Sequence, residues 1–166
     1  MDYNWFLASP GRRLSRAPIT MTIQGQATEP LLPDDDAGPI VFFDGVCGLC
    51  NGFVDHVLTA DRARAMRFAP IQGVTARDLL PELPEQPERW SMVYLDERGV
   101  HVESDAPIEI WRRLGGWRGW LGLARWVPRC VRNPVYRFVA RHRYRWFGRL
   151  DTCRAPAPEH RSRFLP

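Results

Sequence analysis

The sequence predicts an α/β domain in which strands and helices follow the order β-α-β-α-β-β-α, with a helical extension after them. Three observations carry this prediction. Short runs of β-branched and aromatic residues are typical of buried strands, helical apolar periodicity follows the first run, and a polar turn joins the last two runs as a hairpin. A chain of 166 residues is long enough for one domain with a substantial core.

The first part of this order is a parallel βαβ unit. The apolar run at residues 40–43 is the first strand, and a turn containing glycine leads into a helix predicted from about Gly48 to Ala60 with one apolar face. Residues 66–69 are the second strand, which Pro70 closes. Because two such strands are joined by a helix, we expect them to lie parallel with a right-handed crossover.

The second part of the order is a hairpin between two helices. A short helix is predicted over residues 74–80, and a loop rich in proline and glutamate follows over residues 81–89. Strands at residues 92–95 and 100–102 flank a polar turn, which predicts the hairpin. A helix that begins at Asp105 has an apolar face that can pack on the sheet. This succession of elements is that of the thioredoxin-like fold.

A CxxC motif lies at the junction between the first strand and the first helix. Unpaired backbone N–H groups and the helix dipole favour a thiolate there, so Cys47 is predicted to be the attacking thiol. Cys50 falls on the same face and is predicted to resolve the mixed disulfide. Asp44 either tunes the proton balance of the thiols or caps the turn. This chemistry requires no bound cofactor, and its partner is a protein or small-molecule thiol or disulfide.

Other interpretations of the motif remain open. The two cysteines could be close by accident or form half of a zinc site, but the other cysteines, Cys130 and Cys153, are distant and are not a second CxxC pair. The competing class of protein is a non-enzymatic thioredoxin-like binding module. Such a module would dock through basic aromatic C-terminal helices, and its CxxC would be structural or zinc-binding.

Residues 44–50, Asp-Gly-Val-Cys-Gly-Leu-Cys, resemble the DGxCxLC signature of the DCC family of predicted thiol-disulfide oxidoreductases, which are assigned to the thioredoxin-like fold. Later segments extend the resemblance over about residues 39–156. These segments are Asp61, residues 67–72, residues 104–106, Tyr136, residues 140–144, Phe147, Gly148 and residues 151–153. The resemblance implies a thiol-disulfide oxidoreductase of the protein-disulfide reductase type, with Asp44, Cys47 and Cys50 at its site. It also matches Cys153, which either acts as a third redox thiol or only packs.

The start of the third strand departs from the usual thioredoxin-like pattern. Thioredoxin-like oxidoreductases usually place a cis-proline there, beside the CxxC. In this chain the strand is preceded by Arg-Trp-Ser at residues 89–91, and Pro84 and Pro87 lie a few residues too early. Either Pro87 reaches the site through an unusual loop, or the protein does not bind extended peptides as thioredoxin does.

The N-terminal residues 1–38 are predicted to be a disordered or loosely attached leader, because they are rich in Pro, Ser, Thr and Arg and lack apolar periodicity. Met21 is an alternative start of translation. The chain has no apolar run long enough to cross a bilayer, no signal-peptide pattern and only four cysteines. These features predict a cytoplasmic protein with mostly reduced thiols.

The thioredoxin-like core is predicted over residues 39–116, a basic aromatic helical extension packed on the core over residues 117–156, and a tail over residues 157–166. A helix is predicted at residues 134–147, with Pro134 in its first turn.

Charge divides the chain unevenly. All 23 basic residues are arginines, and residues 107–166 carry 14 of them against 3 acidic residues, whereas residues 1–106 carry 9 against 16. The C-terminal extension is basic and contains tryptophans, and a helix of this kind can associate peripherally with a membrane surface. Burial of its apolar stripe against the core is the favoured interpretation, and nucleic-acid binding ranks last because no recognised module accompanies the arginines. Cys130 is expected to be a small buried apolar side chain.

Overall fold

The computed structural model describes residues 38–80, 83–84 and 86–166, with the side chains of residues 117–121 left out of the description. The predicted leader, apart from Gly38, lies outside the described residues. The strands are β1 Ile40–Phe43, β2 Arg67–Pro70, β3 Val93–Asp96 and β4 Gly99–Val102, and the helices are α1 Gly48–Ala60, α2 Val74–Leu79, α3 Asp105–Leu114 and α4 Arg129–Phe147. Short 3-10 segments lie at Pro87–Arg89, Gly116–Trp126 and Pro158–Arg163. No helix of this described part is long and apolar enough to cross a bilayer.

The four strands form one mixed sheet in the order β2-β1-β3-β4. β1 and β2 run parallel, with Val41 opposite Phe68, whereas β3 runs antiparallel to both β1 and β4. The β1-α1-β2 unit and the β3-β4 hairpin are therefore both present. This mixed sheet with its helices confirms the predicted thioredoxin-like α/β fold class.

β1 lies at the centre of the core and is buried along its whole length. Val41 and Phe43 pack into a cluster to which α1 and α3 contribute apolar side chains. Ile40 and Phe42 point to the other face of the sheet and pack into a second cluster with α2. Because successive side chains of a strand alternate between faces, a strand covered on both faces must be apolar at every position. The run that predicted β1 has this property.

The last residues of the chain lie against the outer edge of β2. Phe164 pairs with Phe68 through an isolated parallel bridge, and the Leu165 N–H donates to the Phe68 carbonyl at 2.8 Å. The rings of Phe164 and Phe68 stack with centroids 5.5 Å apart. Arg163, also buried, donates to the carboxylate of Asp61. The segment predicted only as a tail thus covers an edge strand that would otherwise present unpaired backbone groups.

The predicted bounds of the elements agree with the structure to within about one residue as far as the start of α3, and they diverge in the extension. The prediction that α4 begins at Pro134 is wrong. The helix begins at Arg129, just after Pro128, and continues through Pro134. Its first turns are held from outside, because Arg132 donates to the Asp105 carboxylate at 2.5 Å. Such tertiary contacts can compensate for the backbone donor that an interior proline lacks.

Candidate active site

The CxxC motif lies where β1 leads into α1, as the sequence predicts. Cys47 is the N-cap of α1 and has an extended backbone conformation. Its Sγ accepts a hydrogen bond from the Cys50 N–H at 3.4 Å. The buried Asn51 side chain donates to the carbonyl groups of Gly45 and Cys47, both at 2.9 Å. These hydrogen bonds fix the turn before and after Cys47, and the thiols of Cys47 and Cys50 are both free.

The two thiols differ in acidity. The hydrogen bond that the Cys50 thiol donates to Cys47 Sγ, together with the Cys50 backbone N–H, lowers the pKa of Cys47 to about 7, although burial acts in the opposite direction. The same thiol hydrogen bond and burial raise the pKa of Cys50 above its ordinary value. Near neutral pH, Cys47 is therefore the thiol of the pair that ionises, and Cys50 keeps its proton.

The two thiols also differ in accessibility. Cys47 is 0 % exposed, whereas Cys50 is half-buried and contributes to the wall of a cavity. The role of Cys47 as the attacking thiol stays a prediction, and Cys50 is the residue of the pair that lines the cavity.

A backbone segment near the C-terminus lies across the CxxC turn. We call residues 148–154 the covering segment. The Gly48 N–H donates to the Gly148 carbonyl at 3.2 Å, and the Leu150 N–H donates to the Val46 carbonyl at 2.8 Å. One of the N–H groups at the start of α1 is therefore already bonded to the protein itself, and the segment helps to bury Cys47.

Asp44 is buried directly before the motif, and both of its carboxylate oxygen atoms accept hydrogen bonds. Oδ1 accepts from the Gln72 side chain at 2.7 Å and from the Val46 N–H at 3.2 Å. Oδ2 accepts from Arg143 at 2.8 Å and from the Tyr144 hydroxyl at 2.5 Å. The Val46 contact is the turn cap that the sequence allowed as one of two roles. The other role, tuning the acidity of the thiols, depends on the negative charge of Asp44, which lies beside the positive charge of Arg143.

Arg143 is the residue of this site that the sequence analysis did not assign. It extends inward from α4, is 3 % exposed, and donates to the carbonyls of Trp90 at 2.7 Å and Pro87 at 2.8 Å in addition to Asp44. Its positive charge lowers the pKa of Cys47, while the charge of Asp44 raises it. The signal that could have found it is an arginine on the apolar side of a predicted amphipathic helix, a position where a charge needs a buried partner.

The loop before β3 is joined to α4 instead of presenting a cis-proline. No cis peptide bond occurs within the described ranges. The Pro87 and Trp90 carbonyls accept hydrogen bonds from Arg143, and the Met92 N–H donates to the Tyr136 hydroxyl at 2.9 Å. Pro87 therefore reaches the neighbourhood of the motif through its carbonyl group and Arg143.

A cavity of about 160 Å³ lies beside Cys50, between α1, α4 and the loop before β3. Its wall is mostly apolar, and half-buried side chains around it leave it open to solvent. The apolar contributors include Leu49, Phe53, Trp90, Met92, Val139 and Ala140. Arg143 also reaches this wall, so the charged network around Asp44 and the accessible thiol border the same space.

The remaining cysteines lie in different surroundings. Cys153 Sγ lies against Gly45, where a Cβ atom would come within 2.2 Å of it, so this close approach requires glycine. Burial raises the pKa of Cys153. Cys130 is exposed, so its predicted burial is wrong; α4 begins before this residue, and its first turn presents Cys130 to solvent. The described residues contain no group of three or more His, Cys, Asp and Glu side chains that could hold a metal ion.

Comparison with known proteins identifies the family. The family model of DCC1-like thiol-disulfide oxidoreductases matches residues 41–149. The chain is 38% identical over 129 residues to the uncharacterized protein YuxK of Bacillus subtilis (strain 168), covering 76% of this chain and 93% of that protein. It is 36% identical over 122 residues to a chloroplastic DCC family protein of Arabidopsis thaliana, covering 72% of this chain and 71% of that protein. No solved structure matches the chain. The chain therefore belongs to the DCC1-like thiol-disulfide oxidoreductase family.

Proposed function

We propose that this protein is a thiol-disulfide oxidoreductase of the protein-disulfide reductase type, in which Cys47 and Cys50 alternate between dithiol and disulfide. The observation that carries the proposal is the pair of free thiols at the N-terminus of α1, where Cys47 Sγ accepts from the Cys50 backbone N–H at 3.4 Å. The lowered pKa of Cys47 supports it, because thiol-disulfide exchange requires a thiolate. Membership of a family named for this reaction agrees with the proposal.

The reaction transfers two electrons from the protein dithiol to a substrate disulfide. A cysteine thiolate attacks one substrate sulfur, forms a mixed disulfide and expels the first substrate thiolate, which takes up a proton. The second cysteine then attacks the cysteine sulfur of the mixed disulfide, expels the second substrate thiolate and completes the Cys47–Cys50 disulfide. An external dithiol returns the pair to its reduced form.

Asp44 and Arg143 act in this scheme as positioning residues. Their opposite charges lie beside the motif and are both almost fully buried, with 2 % and 4 % of the side chain exposed. Because Asp44 Oδ1 accepts from the Val46 N–H, the carboxylate fixes the turn that carries Cys47. Because Arg143 opposes the charge of Asp44, it allows a thiolate to form nearby.

The proposal is tested by differential alkylation of the full chain in a series of glutathione redox buffers, read for each cysteine peptide by mass spectrometry. We expect Cys47 and Cys50 to pass together and reversibly between dithiol and disulfide, with the midpoint giving their reduction potential. The exposed Cys130 reports the general reactivity of a surface thiol. Thiols that never form a disulfide, or that react only after a chelator is added, would exclude the redox function.

A second candidate function is docking on an anionic membrane surface. The outward face of α4 exposes Val131, Val135, Phe138 and Trp146, each between 51% and 60% exposed. Arg129 at the start of the helix pairs with Asp105 at 3.0 Å and still has 73% of its side chain exposed. Large apolar side chains beside arginines on one helix are the pattern of helices that lie in a lipid headgroup region. Such docking is compatible with redox chemistry at Cys47 and Cys50 and would place that chemistry at a membrane surface.

Membrane docking is tested by sedimentation with phosphatidylcholine vesicles, with and without phosphatidylserine. We expect the protein to sediment with the anionic vesicles, to be released by salt, and to lose binding when Phe138 and Trp146 are both replaced by serine. The change Val100→Ser is the matched control, because Val100 is 41% exposed and lies on β4. Equal sedimentation with neutral vesicles, or equal loss in the control, would contradict the docking.

A further inference from the structure

We propose, building on the dithiol chemistry above and replacing its protein disulfide by a small substrate, that Cys50 and not Cys47 is the sulfur that bonds to the substrate, and that the substrate is a small disulfide or thiol whose apolar group occupies the cavity beside Cys50. Cys47 then acts as the buried base and as the resolving thiolate. This reverses the order of attack that the sequence predicts.

The first argument is access. A mixed disulfide requires a substrate sulfur in line with a cysteine sulfur at bonding distance. Cys47 is 0 % exposed and lies beneath the covering segment, whereas Cys50 is half-buried and lines the cavity. A substrate sulfur can therefore reach Cys50 without any displacement of residues 148–154, and it cannot reach Cys47 in the same way.

The second argument is the chemistry of the cavity wall. Side chains such as Leu49, Phe53, Trp90 and Val139 surround the space beside Cys50. An apolar group gains free energy on leaving water for such a wall, whereas the charged groups of a peptide such as glutathione would lose hydration without replacement. A cavity of about 160 Å³ accepts one small organic group.

The third argument concerns the backbone around the cavity. An extended peptide substrate binds by pairing with free backbone N–H and C=O groups. Here the Trp90 carbonyl accepts from Arg143, and the Met92 N–H donates to the Tyr136 hydroxyl. Because α4 already binds these groups, the loop before β3 is suited to contact a substrate through side chains.

Both thiols lie in the first turn of α1, where Cys47 Sγ accepts from the Cys50 N–H at 3.4 Å, and this closeness allows the proton transfer that this order of attack needs. The Cys50 proton moves to the Cys47 thiolate, and the Cys50 thiolate attacks the substrate disulfide R–S–S–R′. The bond from Cys50 Sγ to the R-bearing sulfur forms, the S–S bond breaks, and R′–S⁻ leaves with the proton from Cys47. The Cys47 thiolate then attacks Cys50 Sγ and expels R–S⁻, so the two electrons end on the two substrate sulfur atoms. The reverse sequence oxidises a substrate thiol through the same mixed disulfide.

The order of attack is tested with two single-thiol variants, Cys47→Ser and Cys50→Ser, both carrying Cys130→Ser and Cys153→Ser to remove the other thiols. Each reacts with pyridyl benzyl disulfide, and the released pyridinethione is followed by absorbance. Rates are compared on their high-pH plateaus, where the thiols are ionised, so that the comparison reports access and not acidity. We expect the variant that retains Cys50 to react at least about tenfold faster, with the adduct found on Cys50 by mass spectrometry. A faster reaction at Cys47 would overturn the proposal.

The substrate class is tested by comparing pyridyl benzyl disulfide with pyridyl hydroxyethyl disulfide, which share a leaving group. We expect the retained Cys50 thiol to prefer the benzyl probe by about tenfold or more, because its ring is removed from water in the cavity. The change Val139→Phe should abolish that preference by filling the cavity. Val135→Phe is the matched control, one helical turn away and 60% exposed, and should keep it. Equal rates for both probes in the protein that retains Val139, whose cavity is not filled, would overturn the assignment of an apolar substrate.

These outcomes are separate from a failure of the redox function itself. If Cys47 and Cys50 interconvert neither in glutathione buffers nor in redox buffers of the small uncharged dithiol dithiothreitol, the proposed function fails. If they interconvert but the adduct forms on Cys47 or the benzyl preference is missing, the redox function stands and the assignment of Cys50 and its cavity fails.

Discussion

Replacing Arg143 by methionine should destabilise the protein strongly, because it leaves a buried carboxylate without its cation. The side chains of Arg143 and Asp44 are only 4 % and 2 % exposed, with Nη2 and Oδ2 2.8 Å apart. Breaking a buried ion pair by removing one partner typically costs about 3–5 kcal/mol. The change also leaves the Trp90 and Pro87 carbonyls without their donor. We expect the free energy of unfolding to fall by about 3–5 kcal/mol, a large part of the stability of a small domain.

The assay is urea denaturation of the wild-type protein and Arg143→Met, with Arg154→Met as the matched control. Arg154 also binds a carboxylate, that of Asp55 at 2.5 Å, but the two side chains are 43% and 48% exposed. An exposed ion pair is worth about 0–1 kcal/mol, so the control should lose little stability. Equal losses in the two variants, or a loss below about 1 kcal/mol for Arg143→Met, would refute the reasoning.

The same pair should also act on the acidity of the motif. Because the Arg143 charge lowers the pKa of Cys47 and the Asp44 charge raises it, Arg143→Met should raise that pKa and Asp44→Asn should lower it. The double variant should recover part of the lost stability, because it removes the stranded charge. Thiolate absorbance against pH measures the first effect, and a double-mutant cycle measures the second.

Three further predictions concern the same framework. Gly48→Ala should destabilise the protein by about 2 kcal/mol or more, because its Cβ would lie 2.1 Å from the Phe147 carbonyl oxygen; Gly52→Ala in the same helix meets open space and should stabilise it by about 0.5–1 kcal/mol. Between a pH of about 7 and 9.0, unfolded Cys47 binds more protons than the native residue, so the unfolding free energy of the wild-type protein should rise with pH by roughly 1–2 kcal/mol relative to Cys47→Ser. A flat difference across that window would contradict the lowered pKa. Phe164→Ala should cost about 2–4 kcal/mol in urea denaturation, because the ring stacks on Phe68, and a smaller loss would mean that the last residues do not stabilise β2.

The parts of the fold that the sequence predicts are those determined by local patterns. β1 is four apolar residues covered on both faces, and α1 has one apolar face, so both were found with their correct bounds. The position of Cys47 at the N-cap follows from these two elements. Local patterns fail where contacts between distant residues determine the structure. Helix α4 continues through Pro134 because contacts such as that of Arg132 with Asp105 hold its first turns.

The arrangement of the candidate site is harder to predict for the same reason. Asp44 and Arg143 are 99 residues apart in the chain, and no local pattern relates them. The burial of Cys47 depends on residues 148–154, which bind through backbone groups and carry no periodicity of their own. Sequence reasoning could find the two sulfur atoms, but it could not determine which of them solvent reaches.

The thiol with the lowered pKa, Cys47, is buried, whereas its neighbour Cys50 lines the cavity. Helix α4 contributes to both properties. An exposed thiolate would react with any disulfide that diffuses to it, whereas a buried thiolate with an accessible protonated neighbour reacts only when a substrate holds its sulfur beside Cys50. Arg143 connects both conditions, since it stabilises the charge at Cys47 and reaches the wall of the cavity. A helix that brings this arginine inward also binds the backbone before β3, at the place where thioredoxin-like enzymes usually present a proline. Selectivity for a small apolar substrate and activation of the thiol pair would therefore depend on the same contacts of α4.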